Sequence, residues 1–151
     1  MPMPWTYRHA SKDWQAFLAD AKDGLGLESD NMTYTAVQGV LLAFRSRLSP
    51  HDVMAFADQL PAVLRALFVA GWDPDTLPLP WAPRATLEDE ARTHRLAHNL
   101  TPPAPIAPVA RALRRATTAR DFDRMLARLS PEARAFWQVD APAADLARRI
   151  V

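Results

Sequence analysis

Apolar residues recur along this chain at spacings of three and four, and no alternating apolar/polar run survives anywhere. The densest stretch is Leu48 to Trp72. Ser49 can cap a helix, Pro50 fits its first turn, and Asp52 completes a capping box. Val53, Phe56, Ala57 and Leu60 then fall on one face of a 3.6-residue period. Pro61 lacks an amide hydrogen, so it must kink this helix or begin another. Leu64, Leu67 and Phe68 continue the apolar face up to Gly71, a natural C-terminal cap. The pattern predicts two short helices joined at Gln59, Leu60 and Pro61.

Residues 1–10 carry two isolated prolines and no periodicity, which predicts an N-terminal arm that Trp5 and Tyr7 could pin to the body. Ser11 offers a cap for a helix bearing Trp14, Phe17, Leu18 and Ala21, with Gly24 and Gly26 ending it. The next helix is expected from about Thr33 to Arg47, with Val37, Val40, Leu41, Phe44 and Leu48 in register. Residues 73–84, DPDTLPLPWAPR, hold four prolines and predict a stiff connector. Thr86 and Asp89 form a capping box for a helix running to about Asn99, and TPPAPIAP at 101–108 is a second proline connector. Helices are expected near 108–117, 119–129, 131–139 and 142–150. The predicted fold is all-α, a small helical bundle of about 7–8 helices.

Shifting the chain on itself by 69 residues lays the second part on the first without a gap. Ala43, Arg45, Asp52, Leu60, Arg65 and Ala66 then fall on Ala112, Arg114, Asp121, Leu129, Arg134 and Ala135. Apolar class is kept from Val37 to Ile106, Phe44 to Leu113 and Phe56 to Met125, and the Ser49/Asp52 box meets Thr118/Asp121. Two related, degenerate repeat halves follow: about 11–80, with the connector 73–84 at its end, and about 85–151. Each half has too broad an apolar face to stand alone, so one shared core over 11–151 is expected.

A-V-x-x-V-L-x-x-F-R-x-R-L at 36–48, A-D-Q-L-P-x-V-L-R-x-L-F at 57–68 and G-W-D-P from Gly71 together resemble the DUF2267 family. These are uncharacterised small helical proteins of bacteria, often with two related halves. The clearest likeness covers residues 13 to 90. The resemblance implies an all-helical fold and carries no activity, cofactor or catalytic residue to transfer. The second half departs from the pattern at Leu129-Ser130, where no L-P pair stands, and it has no second G-W-x-P.

Composition narrows the chemistry. The 151 residues are 49% hydrophobic, enough for one real core, and the formal net charge of +1 gives no global pull toward nucleic acid or membrane. Without cysteine, disulfides and thiolate chemistry are excluded. The N-terminal residues show no apolar signal core and no run approaches the ~20 residues of a membrane span, so a cytoplasmic protein is expected. Lys12 and Lys22 are the only lysines, an arginine bias that reads as genome composition rather than function.

The best candidate binding residues are Arg65, Trp72 and Trp81. A tryptophan after a helix-ending glycine can lock a turn on proline rings, or can present an aromatic groove beside an arginine. Glu90, His94 and His98 share one helix face, and a histidine pair four apart can hold a divalent ion. Glu90 lies two turns from His98, so an ion would need a ligand from elsewhere, such as His51. Solvated histidines near a helix end fit the same residues, and no metal or cofactor is assigned. Arg114, Arg115, Arg120, Arg124 and Arg128 could line a phosphate-binding stripe, but Asp121 and Asp123 interrupt it and suit surface pairing. Glu88-Asp89-Glu90 reads as an acidic first turn, and no catalytic motif stands out. The expected function is a non-enzymatic protein-interaction or accessory module, binding through the Trp72–Trp81 connector or the groove between the halves. The alternatives are a nucleic-acid-associated protein using the arginine-rich half, and a metal or small-ligand binder in the bundle.

Overall fold

Helix starts are set by a few side-chain oxygens. The computed structural model describes residues 3–95 and 100–147. Ser29 Oγ accepts from the Met32 N–H at 3.1 Å and opens α3, Asp30–Arg45. Ser49 Oγ accepts from Asp52 N–H at 3.2 Å and opens α4, Pro50–Ala57, with Pro50 in its first turn. Pro61 begins a new helix rather than kinking the old one, giving α5, Ala62–Val69. Ser130 Oγ receives the Ala133 N–H at 3.2 Å and opens α9, Pro131–Trp137. Gly26 and Gly71 both sit at φ 67°, the left-handed geometry that closes α2 (Ala10–Leu25) and leaves α5 behind.

Other starts differ from expectation. Ser11 is not a cap, because the single turn α1, Trp5–Arg8, hands the chain over already helical. His9 O accepts from Asp13 N–H at 2.9 Å, and the His9 ring stacks on Trp5 at 3.6 Å. Helix α6 runs Arg84–Thr93 from Pro83, so Thr86 lies inside it and the expected box with Asp89 does not form. Its expected continuation over 96–99 lies outside the described residues. Helices α7, Ile106–Ala116, and α8, Ala119–Leu126, follow, and Thr118 precedes α8 without a side-chain cap bond. The helix expected over 142–150 is a 3-10 turn at Ala143–Leu146 in its described part. The fold is all-α: nine α-helices and that turn stand among the described residues, against seven to eight expected.

Helix α2 packs along α7 and α3 along α6, while α2 and α3 also touch each other. At the α3–α6 crossing Gly39 meets the backbone of Ala91 so closely that a Cβ there would overlap the Ala91 carbonyl. The other helices close one continuous core. Its centre is aromatic: Phe44 lies 4.8 Å from Phe56, 5.0 Å from Phe136 and 5.2 Å from Trp137, centroid to centroid. Phe56 and Trp137 stack at 5.4 Å. These rings come from α3, α4 and α9, and burying each contributes on the order of 2–3 kcal/mol. No helix of the described residues is long and apolar enough to cross a membrane.

Between α5 and α6 the chain is irregular, as its prolines demand. Asp73 Oδ1 accepts from Asp75 N–H at 2.9 Å and Asp73 O from Thr76 N–H at 3.1 Å, which sets its first turn. Leu79 N–H then donates to Ser46 O at 2.8 Å, lashing the connector to the end of α3. Arg47 completes the anchorage. It donates through Nη1 to Ala43 O at 2.9 Å, through Nε to Pro80 O at 3.3 Å, and through both terminal nitrogens to Glu90 at 2.6 Å.

Candidate functional site

The connector's anchors decide which of its side chains are free. Trp81 is drawn inward: its ring lies 6.1 Å from Phe44 and 6.4 Å from Phe136. Trp72 is half-buried against the core edge. Beyond it the prolines hold Leu77 outward at 84% exposure and Leu79 at 50%. With Pro78, Leu48 and Arg45 they border a shallow cleft of about 260 Å³. Arg45 is not available to a ligand there as a free cation. Its Nη1 donates to Phe68 O at 2.9 Å and Ala70 O at 3.0 Å, closing the carbonyl end of α5, where a positive charge suits the helix dipole. Burial draws its pKa below the ordinary guanidinium value.

Arg65 stands apart from both tryptophans. Its Nε donates to Ala57 O at 3.1 Å and its Nη2 to Asp58 O and Leu60 O at 3.3 Å, so it ties off the end of α4. It lines a different cleft, with Trp5, Asp13 and Thr118. The structure thus brings Trp72 beside exposed leucines, uses Trp81 as an anchor, and places Arg65 elsewhere.

The proposed helix-face trio is also divided. Glu90 is gripped by Arg47, whose hydrogen bonds and charge hold its carboxyl below the usual range against an opposing effect of burial. His94 ends α6, where burial, then the charges of Arg95 and Arg45, lower its pKa. His98 lies outside the described residues. Among the described residues no group of three or more metal-ligating side chains comes together.

Of the arginines in the second part, Arg114 donates to Trp137 O at 2.8 Å and to Asp123 at 2.9 Å, with its guanidinium 5.1 Å above the Phe122 ring. Arg115 donates to Asp20 at 2.9 Å and Asp145 O at 2.6 Å. Both are committed inside the fold, leaving Arg120, Arg124 and Arg128 exposed on α8 and just after it. The acidic first turn resolves differently too. Glu88 is buried and accepts from Ile106 N–H at 3.1 Å, so it caps α7, whose preceding Pro105 offers no side-chain cap.

Residues 14–136 match a family model described as "Uncharacterized conserved protein (DUF2267)". The chain belongs to the DUF2267 family. The DUF2267 match runs from Trp14 on α2 to Phe136 on α9 and contains Arg45, Arg47, Trp72, Trp81, Glu90 and the whole connector. The Trp5 turn and the Ala143–Leu146 turn fall outside it. No curated protein matches this DUF2267 chain.

Proposed function

We propose that this DUF2267 protein is a non-enzymatic interaction module whose connector docks on a protein partner offering an apolar groove. One observation carries this reading: Leu77 and Leu79 are held in water at 84% and 50% exposure on a backbone fixed by prolines and by the Ser46 and Arg47 bonds. A preorganised apolar segment loses little conformational freedom on binding, so the area it buries is converted to affinity efficiently. Trp72 widens that surface and Trp81 holds its far end. Leu77→Ser and Leu79→Ser together should abolish partner capture while shifting stability by no more than about 0.5 kcal/mol, since neither side chain is in the core. Capture that survives both substitutions in a folded protein overturns the assignment.

We also infer one domain made of two degenerate copies with a shared core. In the register that lays Ala43 on Ala112, α4 Pro50–Ala57 falls on α8 Ala119–Leu126 end to end. Helices α5 and α9 begin at equivalent positions and end within one residue of each other. Two arginine bonds recur: Arg45 to Phe68 O beside Arg114 to Trp137 O, and Arg65 to Leu60 O beside Arg134 to Leu129 O. Exchanging the copies turns the α2–α7 packing into the α3–α6 packing. Each half then supplies the surface that the other cannot bury alone.

A further inference from the structure

A second cleft, of about 240 Å³, opens where α1, the α4–α5 junction and the α7–α8 junction meet. Asp13 lies in its wall, only 3% exposed, and its Oδ1 has no hydrogen-bond partner among the described residues. A buried carboxylate oxygen without a donor is costly, and an apolar residue would serve packing better. Asp58 and Asp121 stand exposed in the same wall. Arg65, the one basic residue among the described residues of that wall, is spent on the carbonyls of Ala57, Asp58 and Leu60. Trp5, half-exposed, supplies an aromatic ring at the same opening.

We propose that this cleft binds a small molecule carrying a protonated primary amine or guanidinium, with Asp13 as the carboxylate that receives it. An ammonium N–H supplies the donor that the fold withholds from Asp13 Oδ1, and a charge-assisted bond to a buried carboxylate is a strong one. Asp58 and Asp121 draw the cation to the mouth, and the Trp5 ring adds cation–π attraction. A divalent ion fits less well, because the described residues gather no three ligands here. The site is independent of the connector: it shares no wall residue with the Trp72 cleft.

Titration of the full chain with putrescine and agmatine, followed by calorimetry and by amide chemical shifts, tests this. Saturable binding is expected for both amines and for neither butyrate nor butanol. Asp13→Asn should weaken it by about 10- to 100-fold, with a melting temperature at or above that of the native chain. Trp5→Ala, at an exposed position outside the core, should weaken it several-fold and decides the matter if Asp13→Asn does not fold. Asp89→Asn, exposed on α6, should leave it unchanged. Absence of saturable amine binding, equal binding of butanol, or affinity untouched by Asp13→Asn or Trp5→Ala overturns the proposal.

Discussion

Removing the charge of Glu90 should cost more stability than its position near the surface suggests. The Arg47 side chain is 3% exposed and depends on Glu90 for two bonds of 2.6 Å. In Glu90→Gln the guanidinium keeps Ala43 O, Pro80 O and one neutral amide oxygen, and an NH2 donor replaces the second carboxylate oxygen. Breaking a buried pair from one side costs roughly 3–5 kcal/mol. Glu90 itself is 39% exposed, so water screens the pair, and an expected loss of about 2–3 kcal/mol is reasonable. For a domain of this size that is a fall in melting temperature of about 4–12 °C. Arg47→Met should cost less, because Glu90 can turn to solvent and an apolar side chain fills the buried site. The pair also fixes a pH dependence. Glu90 has a folded pKa below its unfolded one, so its contribution is present above the ordinary carboxylate pKa and is lost as pH falls through the folded value. Urea or thermal unfolding from neutral pH down to about pH 3 should show a steeper loss for the native chain than for Glu90→Gln. A variant that melts within about 1 °C of the native chain, with the same acid slope, refutes the reasoning.

Five further substitutions probe other links. Gly39→Ala should destabilise by about 1–3 kcal/mol in urea unfolding, although alanine is the better helix former by about 1 kcal/mol, because the new Cβ meets rigid backbone at Ala91. Gly24→Ala, whose Cβ would lie 3.3 Å from the Pro108 Cβ, should cost less. Glu88→Ala leaves the Ile106 N–H without its acceptor and should cost about 1–2 kcal/mol, with faster amide exchange at the start of α7. Arg45→Met and Arg114→Met should each destabilise by about 1–2 kcal/mol, because each takes the donor from an equivalent helix-ending carbonyl; no loss at one of them counts against the repeat.

Local chemistry was legible where it is self-contained. Ser49 Oγ takes the Asp52 N–H and Pro50 fits the first turn, all within four adjacent residues, while Pro61 had to kink a helix or start one and does the latter. Ser11 and Thr86 misled because a preceding turn and Pro83 already had the chain helical. The Arg45/Arg114 and Arg65/Arg134 identities were visible in sequence, but their hydrogen bonds to helix-ending carbonyls needed coordinates. Arg47 and Glu90 meet across the connector, so helical spacing alone assigned Glu90 to His94 instead. Two signals were there to be found. Asp13 is in register with buried Phe17 and Ala21 at steps of four, and Gly39 is a lone glycine inside a strong helix. The first marks a carboxylate on an apolar face, the second a close helix crossing.

The docking role of the connector is tested most directly by a photoreactive amino acid placed at Leu77, and separately at exposed Arg120, in the protein expressed in its own cells. Position 77 should crosslink to one discrete protein, competed away by excess native chain, and position 120 should not capture it. Crosslinking only from Arg120, or the same diffuse products from both positions, would contradict a docking surface on the connector.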